Sequence, residues 1–221
     1  MRVCAVVPVY NEEETIHRVL TELLAAGFHV VVADDCSQDK TADIARRLPV
    51  HYLRHWINLG QGAALRSGTQ LAERLGYEII MHFDADGQHR TIDAKLVVRK
   101  LIEENLEVVI GSRFLQTKSE LPLKKKIVLW LAGIFTRKIL KLNFSDPQSG
   151  LRAFRTDVLD KLMWENDDFS HCTEILEQIS ANRLKCKEIG IKVEYSNYSG
   201  SKKVKPQIRM GWRLLLNKLL K

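Results

Sequence analysis

The segment "IIMHFDADGQH", Ile79 to His89, decides how this chain is read. A short apolar run that closes on acidic residues and Gly87 reads as a buried strand ending in a polar turn. Along an extended segment residues i and i+2 point the same way, so Asp84 and Asp86 can face one ligand at the strand end. Two hard oxygen donors at that spacing suit Mg²⁺ or Mn²⁺, completed by phosphate oxygens and water, with Gln88 or His89 completing or orienting the shell. The bland alternative is an ordinary Asp-rich turn.

Working outward, the same pattern recurs. "RVCAVVPV" is a Val-rich strand stopped at Pro8, followed by an amphipathic helix, "NEEETIHRVLTELLAAG", with an acidic first turn. "HVVVADD", "VHYLRH" and "LEVVIGSR" are further strands, and "KTADIARRL", "GQGAALRSGTQLAERLG" and "TIDAKLVVRKLIEEN" the helices between them. Five strand–helix alternations predict an α/β fold with a mainly parallel sheet covered by helices on both faces. Ligands of such sheets bind beyond the carboxyl ends of the strands. Polar residues collect at those ends, in "PVYNE", "ADDCS", "DADGQH" and "GSR".

After residue 115 the pattern changes. Residues 121–142 read as a basic-then-apolar helix, "DPQSGLRAF" (Asp146 to Phe154) as a loop, "SHCTEILEQISANRL" as a helix and "KCKEIGIKVEY" as one or two short strands. The expected division is a single domain over 1–198, with a donor-binding part to about 115 and an acceptor side beyond it, and a basic tail over 199–221.

Composition narrows the classes. Apolar residues make up 45% of the chain, which supplies a core and excludes general disorder. A net charge of +7 favours anionic partners. The four cysteines form no metal-binding or redox spacing, as reduced thiols in a cytosolic protein would. "MRVCAVVPVYNEEE" does not read as a signal peptide, and the apolar run Ile127 to Phe135 falls short of the roughly 20 residues of a membrane span. Both GxGxxG at the first turn and GxxxxGK[ST] anywhere are missing, which excludes the ordinary dinucleotide and P-loop sites.

Individual residues remain open on chemistry alone. Asp34 and Asp35 suit ribose or base hydrogen bonds, but Asp34, Asp35, Ser37 and Asp39 are also good helix caps. Gly60 and Gly62 open a helix whose N-terminus can hold an anion, or simply make a tight turn. Arg113 and Arg152 are either bidentate diphosphate ligands or solvated charges.

"VPVYNEE", "ADDCSQDKT", "NLGQGAAL", "DADGQH", "GSR" and "DPQSGLRAF" occur in the order and spacing of family 2 glycosyltransferases. The chain resembles the branch of dolichyl-phosphate mannose synthases and bacterial polyprenyl-phosphate glycosyltransferases, over about Arg2 to Phe154. The resemblance implies a GT-A type fold and an inverting transfer from a nucleotide diphosphate sugar. It places Pro8, Tyr10, Glu12, Asp34, Asp35, Gly62, Asp84, Ala85, Asp86 and Arg113 around the donor, and Asp84, Asp86 and Gln88 around Mg²⁺ or Mn²⁺. Asp86, Asp146, Arg152 and Glu174 become catalytic candidates, and Ser149, Arg152, Lys202 and Lys203 acceptor ligands. A lipid phosphate is already ionised near neutral pH, so it needs cations more than a general base. The chain departs from the family where Arg90 and Thr91 replace the proline often found after "DADxQH".

The tail from Ser199 carries seven basic and no acidic residues. Arg209, Arg213, Asn217 and Lys221 share one helical stripe, apart from Trp212, Leu215, Leu216 and Leu219, a pattern suited to a membrane interface. The expected enzyme is therefore cytoplasmic and peripheral on the membrane, with no nucleic-acid partner; a small membrane-protein partner or a homo-oligomer is left open. Rival readings are a glycosyltransferase acting on a glycan or glycolipid hydroxyl in surface polysaccharide synthesis, and a catalytically silent membrane-associated subunit.

Overall fold

The computed structural model describes residues 1–115 and 144–194. The expected helix within 121–142, the basic tail, Lys202 and Lys203 lie outside the described residues. Seven strands form one sheet: β1 (Val3–Val9), β2 (His29–Asp34), β3 (His51–Arg54), β4 (Ile79–His82), β5 (Val108–Ser112), β6 (Arg152–Arg155) and β7 (Cys186–Gly190). Helices α1 (Ile16–Ala25), α2 (Thr41–Arg46), α3 (Gln61–Arg74), α4 (Thr91–Glu103) and α5 (His171–Ala181) connect or cover them. The sheet order is β3-β2-β1-β4-β6-β5-β7, all parallel except β6. Among the described residues no helix is long and apolar enough to cross a membrane.

Period-two alternation splits the core. Ala5, Val7, Val30, Val32, Ile79, Met81 and Val109 pack under α1 and α4, while Cys4, Val6, Val31, Ile80, Val108 and Ile110 pack under α3 and α5 with Trp164. Gly68 of α3 lies directly on Val6 and Ala33, so any side chain there would lift the helix off the sheet.

Three local expectations are corrected. β1 runs through Pro8 to Val9. The Val6 carbonyl accepts Phe83 N on the β4 side, and β1–β4 pairing ends at Val6, so Pro8, two residues on, faces an edge where no N–H is needed. α1 begins at Ile16 and not in the acidic run: Asn11 adopts φ 56° and the Glu12 carbonyl accepts Thr15 N and Ile16 N, making a separate turn. "DPQSGLRAF" is a loop only as far as Leu151; Arg152–Arg155 form β6, wedged antiparallel between β4 and β5.

From β1 the chain winds through β2 to β3, then returns to place β4 on the other side of β1. The carboxyl ends of β1 and β4 therefore flank the point where the winding reverses, where doubly wound sheets open a crevice.

Candidate functional site

Two loops are stitched together at the ends of β1 and β2. Asn11 N donates to Ser37 Oγ, Glu12 N to Thr41 Oγ1 and Glu13 N to Asp39 Oδ2, at 3.0, 2.8 and 3.1 Å. In return Gln38 N donates to Asn11 Oδ1 and Lys40 N to Glu13 Oε2. The residues of "CSQDKT" thus cap the amides of "YNEE". Tyr10 stays exposed at the rim, and Glu12 half-buried beside it.

Asp34 and Asp35 are buried and turned onto the protein's own donors. Asp34 accepts Ser37 N at 2.8 Å and the Tyr52 hydroxyl at 2.5 Å. Asp35 accepts Leu59 N and Gly60 N at 2.9 and 2.7 Å and lies 2.8 Å from His55 Nδ1, at the turn into α3. These contacts brace the turns that follow β2, and neither α2 nor α3 takes a side-chain cap from the pair.

The start of α3 is covered. Gly62 N donates to the Asp167 carbonyl at 2.7 Å, Trp164 Nε1 donates to the Gly62 carbonyl at 2.9 Å, and a Cβ at either Gly60 or Gly62 would collide with the backbone of 166–167. The Gly62 amide is therefore taken by protein and not offered to a phosphate. Glu174 holds the covering loop, accepting Glu165 N, Asn166 N and Asn166 Nδ2 at 2.9, 3.0 and 2.7 Å.

At the end of β4, Asp84 and Asp86 lie close enough for the charge on one to act on the other. Asp84 Oδ1 accepts Gln61 Nε2 at 2.9 Å, and Oδ2 lies 3.5 Å from His89 Nε2. Asp86 Oδ1 accepts Gln88 N at 3.0 Å. Ala85 between them is buried in the core. Burial and the neighbouring Asp84 carboxylate push the Asp86 carboxyl up to about 6, with Glu12 adding to the effect. Burial works to raise Asp84 as well, but His89 outweighs it, with help from Arg152 and His171, and holds Asp84 below the usual carboxylate range. Gly150 lies so close beneath the Asp84 carboxylate that a Cβ there would strike it. The buried His89 Nδ1 has no partner. Two crowded carboxylates whose mutual repulsion a cation would relieve, beside an imidazole, fit Mg²⁺ or Mn²⁺. Among the described residues no three His, Cys, Asp or Glu side chains converge on one point, so substrate oxygens and water would fill the remaining positions.

Arg113 and Asp146, assigned to donor and acceptor sides by sequence, face each other. Arg113 Nε and Nη2 donate to Asp146 Oδ2 and Oδ1 at 2.7 and 2.6 Å, and Arg113 N adds a bond at 3.0 Å. Glu188 of β7 secures the same turn by accepting Ser145 N and Asp146 N. Ser149 is buried, and its carbonyl accepts Arg152 Nη2 at 2.7 Å. Gln61, Gly150, Glu188, His171 and Cys172 carried no sequence signal that set them at this edge, because each reaches it through tertiary contacts.

The chain matches the family model Glycosyl transferase family 2 over residues 4–163. It is 31% identical to the UDP-N-acetylglucosamine–dolichyl-phosphate N-acetylglucosaminyltransferase of Methanococcus voltae, covering 97% of this chain and 95% of that protein. Identity to the undecaprenyl-phosphate mannosyltransferase of Micrococcus luteus is 32%, over 72% of this chain and 68% of that one. In fold it is similar to glucosyl-3-phosphoglycerate synthase of Mycobacterium tuberculosis solved with Mn²⁺, uridine diphosphate and glucosyl-3-phosphoglycerate. The TM-score there is 0.69 at 18% identity, covering 95% of this chain and 75% of that one.

Proposed function

This chain belongs to glycosyl transferase family 2 and is a glycosyltransferase, and from that we infer that it moves a sugar from a nucleoside diphosphate to a polyprenyl phosphate at a membrane surface. The observation that carries the donor half is the Asp84–Asp86 pair at the crevice between β1 and β4. The acceptor half is supported by the Methanococcus and Micrococcus relatives, both named for transfer to a lipid phosphate.

In this reading Asp84 and Asp86 hold a divalent ion with the diphosphate, and His89 orients Asp84. When bound, the ion would neutralise the charge that builds on the leaving nucleoside diphosphate. Tyr10 and Glu12 line the donor side. The incoming phosphate oxygen is already ionised, so the displacement inverts the anomeric carbon without a proton being removed by the enzyme. Asp146 then serves to aim the Arg113 guanidinium, Lys202 and Lys203 supply positive charge for the acceptor, and the buried Arg152 acts through the Ser149–Gly150 turn that it holds. The basic tail and the lipid substrate both favour a peripheral position on the cytoplasmic face, drawn to anionic lipid.

The test is calorimetric titration of uridine, guanosine and thymidine diphosphate sugars, with and without Mn²⁺, against wild type and Asp86→Ala. Metal-dependent binding of one donor, lost in the variant, is the expected result. Wild-type turnover in Asp86→Ala would sink the metal assignment. Transfer to a glycan hydroxyl but not to polyprenyl phosphate would move the acceptor, and absence of any donor binding would favour a silent subunit.

A further inference from the structure

Arg152 enters the sheet at the first position of β6 and is 2% exposed. A guanidinium keeps its charge throughout the pH range of a folded protein. Its Nη2 donates to the Ser149 carbonyl at 2.7 Å and to Cys172 Sγ at 3.2 Å, while its Nε finds no partner. Asp146 pairs with Arg113, and Asp84, whose close contact is His89, acts on Arg152 without forming an ion pair with it among the described residues. A buried cation with no carboxylate in contact is costly, so a negative group in direct contact would stabilise it.

Cys172 is placed to do so. It is the second residue of α5, where the helix N-terminus favours negative charge, and it is 5% exposed. Its sulfur lies 3.5 Å from His171 Nε2, and His171 Nδ1 is anchored 2.7 Å from the Asp168 carbonyl. The charged and titratable groups around it are Arg152 from β6, His171 from its own helix, and, beyond Arg152 and His171, His82 on β4 and Asp84 at the end of β4. Burial pushes His82 well below its usual range, so it stays neutral. Burial alone would raise the Cys172 thiol, but His171 and Arg152 outweigh it and bring it to about 6.

We propose that Cys172 is a buried thiolate that acts as the counter-ion of Arg152, and that this pair positions the Ser149–Gly150 turn against Asp84. Cys172 is a positioning residue in this account. Its charge state stands on the contacts above, and only its consequence for donor binding rests on the glycosyltransferase reading.

The charge is measured by thiolate absorbance at 240 nm between pH 5 and pH 8 on a Cys36→Ser background. Burial pushes Cys4 and Cys186 up to about 12, so neither contributes in that window. One thiolate should appear with a midpoint near 6. Adding Arg152→Gln should move that midpoint up by about one unit or more, the size of effect a neighbouring charge exerts. No thiolate below pH 8, or a midpoint that Arg152→Gln leaves in place, overturns the proposal. A second pair of variants covers the case in which Arg152→Gln does not fold. Cys172→Ser should weaken Mn²⁺-dependent donor binding roughly tenfold, while Cys172→Asp, which keeps a negative charge, stays within about twofold of wild type. Equal losses in both would reduce Cys172 to packing. Failure of wild type to bind any donor would count against the transferase reading and leave the absorbance result intact.

Discussion

Arg113 and Asp146 meet in a two-pronged ion pair across 33 residues of sequence, with Nε–Oδ2 and Nη2–Oδ1 separations of 2.7 and 2.6 Å. Asp146 is 1% exposed at its side chain and Arg113 15%. The pair ties the end of β5 to the turn that leads into β6. Removing one partner of such a pair leaves the other charge buried. Asp146→Ala should therefore destabilise the protein by about 3 kcal/mol in urea denaturation, and a loss below about 1 kcal/mol would show that the pair contributes little.

Asp39 supports a second prediction. Its Oδ1 accepts Thr41 N at 2.9 Å and its Oδ2 accepts Glu13 N at 3.1 Å. Burial works to raise its carboxyl, but these donors and the Thr41 side chain outweigh it and hold it below the usual range. A depressed carboxyl stabilises the fold above its unfolded pKa and loses that contribution as pH falls through the folded value. Asp39→Ala should cost about 1 kcal/mol at pH 7, with the gap to wild type narrowing below about pH 4. A gap of constant size from pH 7 to pH 3 would show that the charge plays no part.

Gly62 carries the third. An alanine there would drive its methyl into the Asn166 carbonyl, which belongs to backbone and cannot swing aside. We expect Gly62→Ala to destabilise by about 2 kcal/mol, as overpacking does, and to speed proteolytic cleavage within 165–169. An unchanged cleavage rate would mean the loop is held without this contact.

The tail supplies the fourth, on its charge pattern. Removing residues 207–221 should lower association with anionic liposomes by about tenfold or more while donor affinity changes less than about twofold. Unchanged liposome binding would remove the tail from any anchoring role.

The sheet was legible where the signal is local. Val-rich runs alternating with amphipathic helices gave β1 to β5, and the Asp84–Asp86 spacing placed two carboxylates at a strand end. β6 was not legible, because "RAFR" is four residues of mixed polarity whose strand geometry comes from lying between β4 and β5. The candidate site shows the same division. Asp34 and Asp35 could be placed at the end of β2, but whether they faced a ligand or the backbone depended on Tyr52, Leu59 and Gly60 folding over them. Arg113 and Asp146 each invited a separate role because their pairing spans an interval that sequence does not bridge.

The antiparallel wedge of β6 also governs the order in which the chain can be completed. β5 pairs with β6 on one side and β7 on the other, and no strand within residues 1–115 hydrogen-bonds to it. On the ribosome, β5 would emerge with both edges bare and the outer edge of β4 open. Those edges close only after Arg155 and then Gly190 have left the exit tunnel. The stretch bearing Asp84 and Asp86 thus gains its contact with Gly150, and β4 its second neighbour, only once β6 has joined the sheet. A product stalled near residue 115 would expose strand edges that invite pairing with other chains, and such truncated species are the ones that chaperones would have to shield.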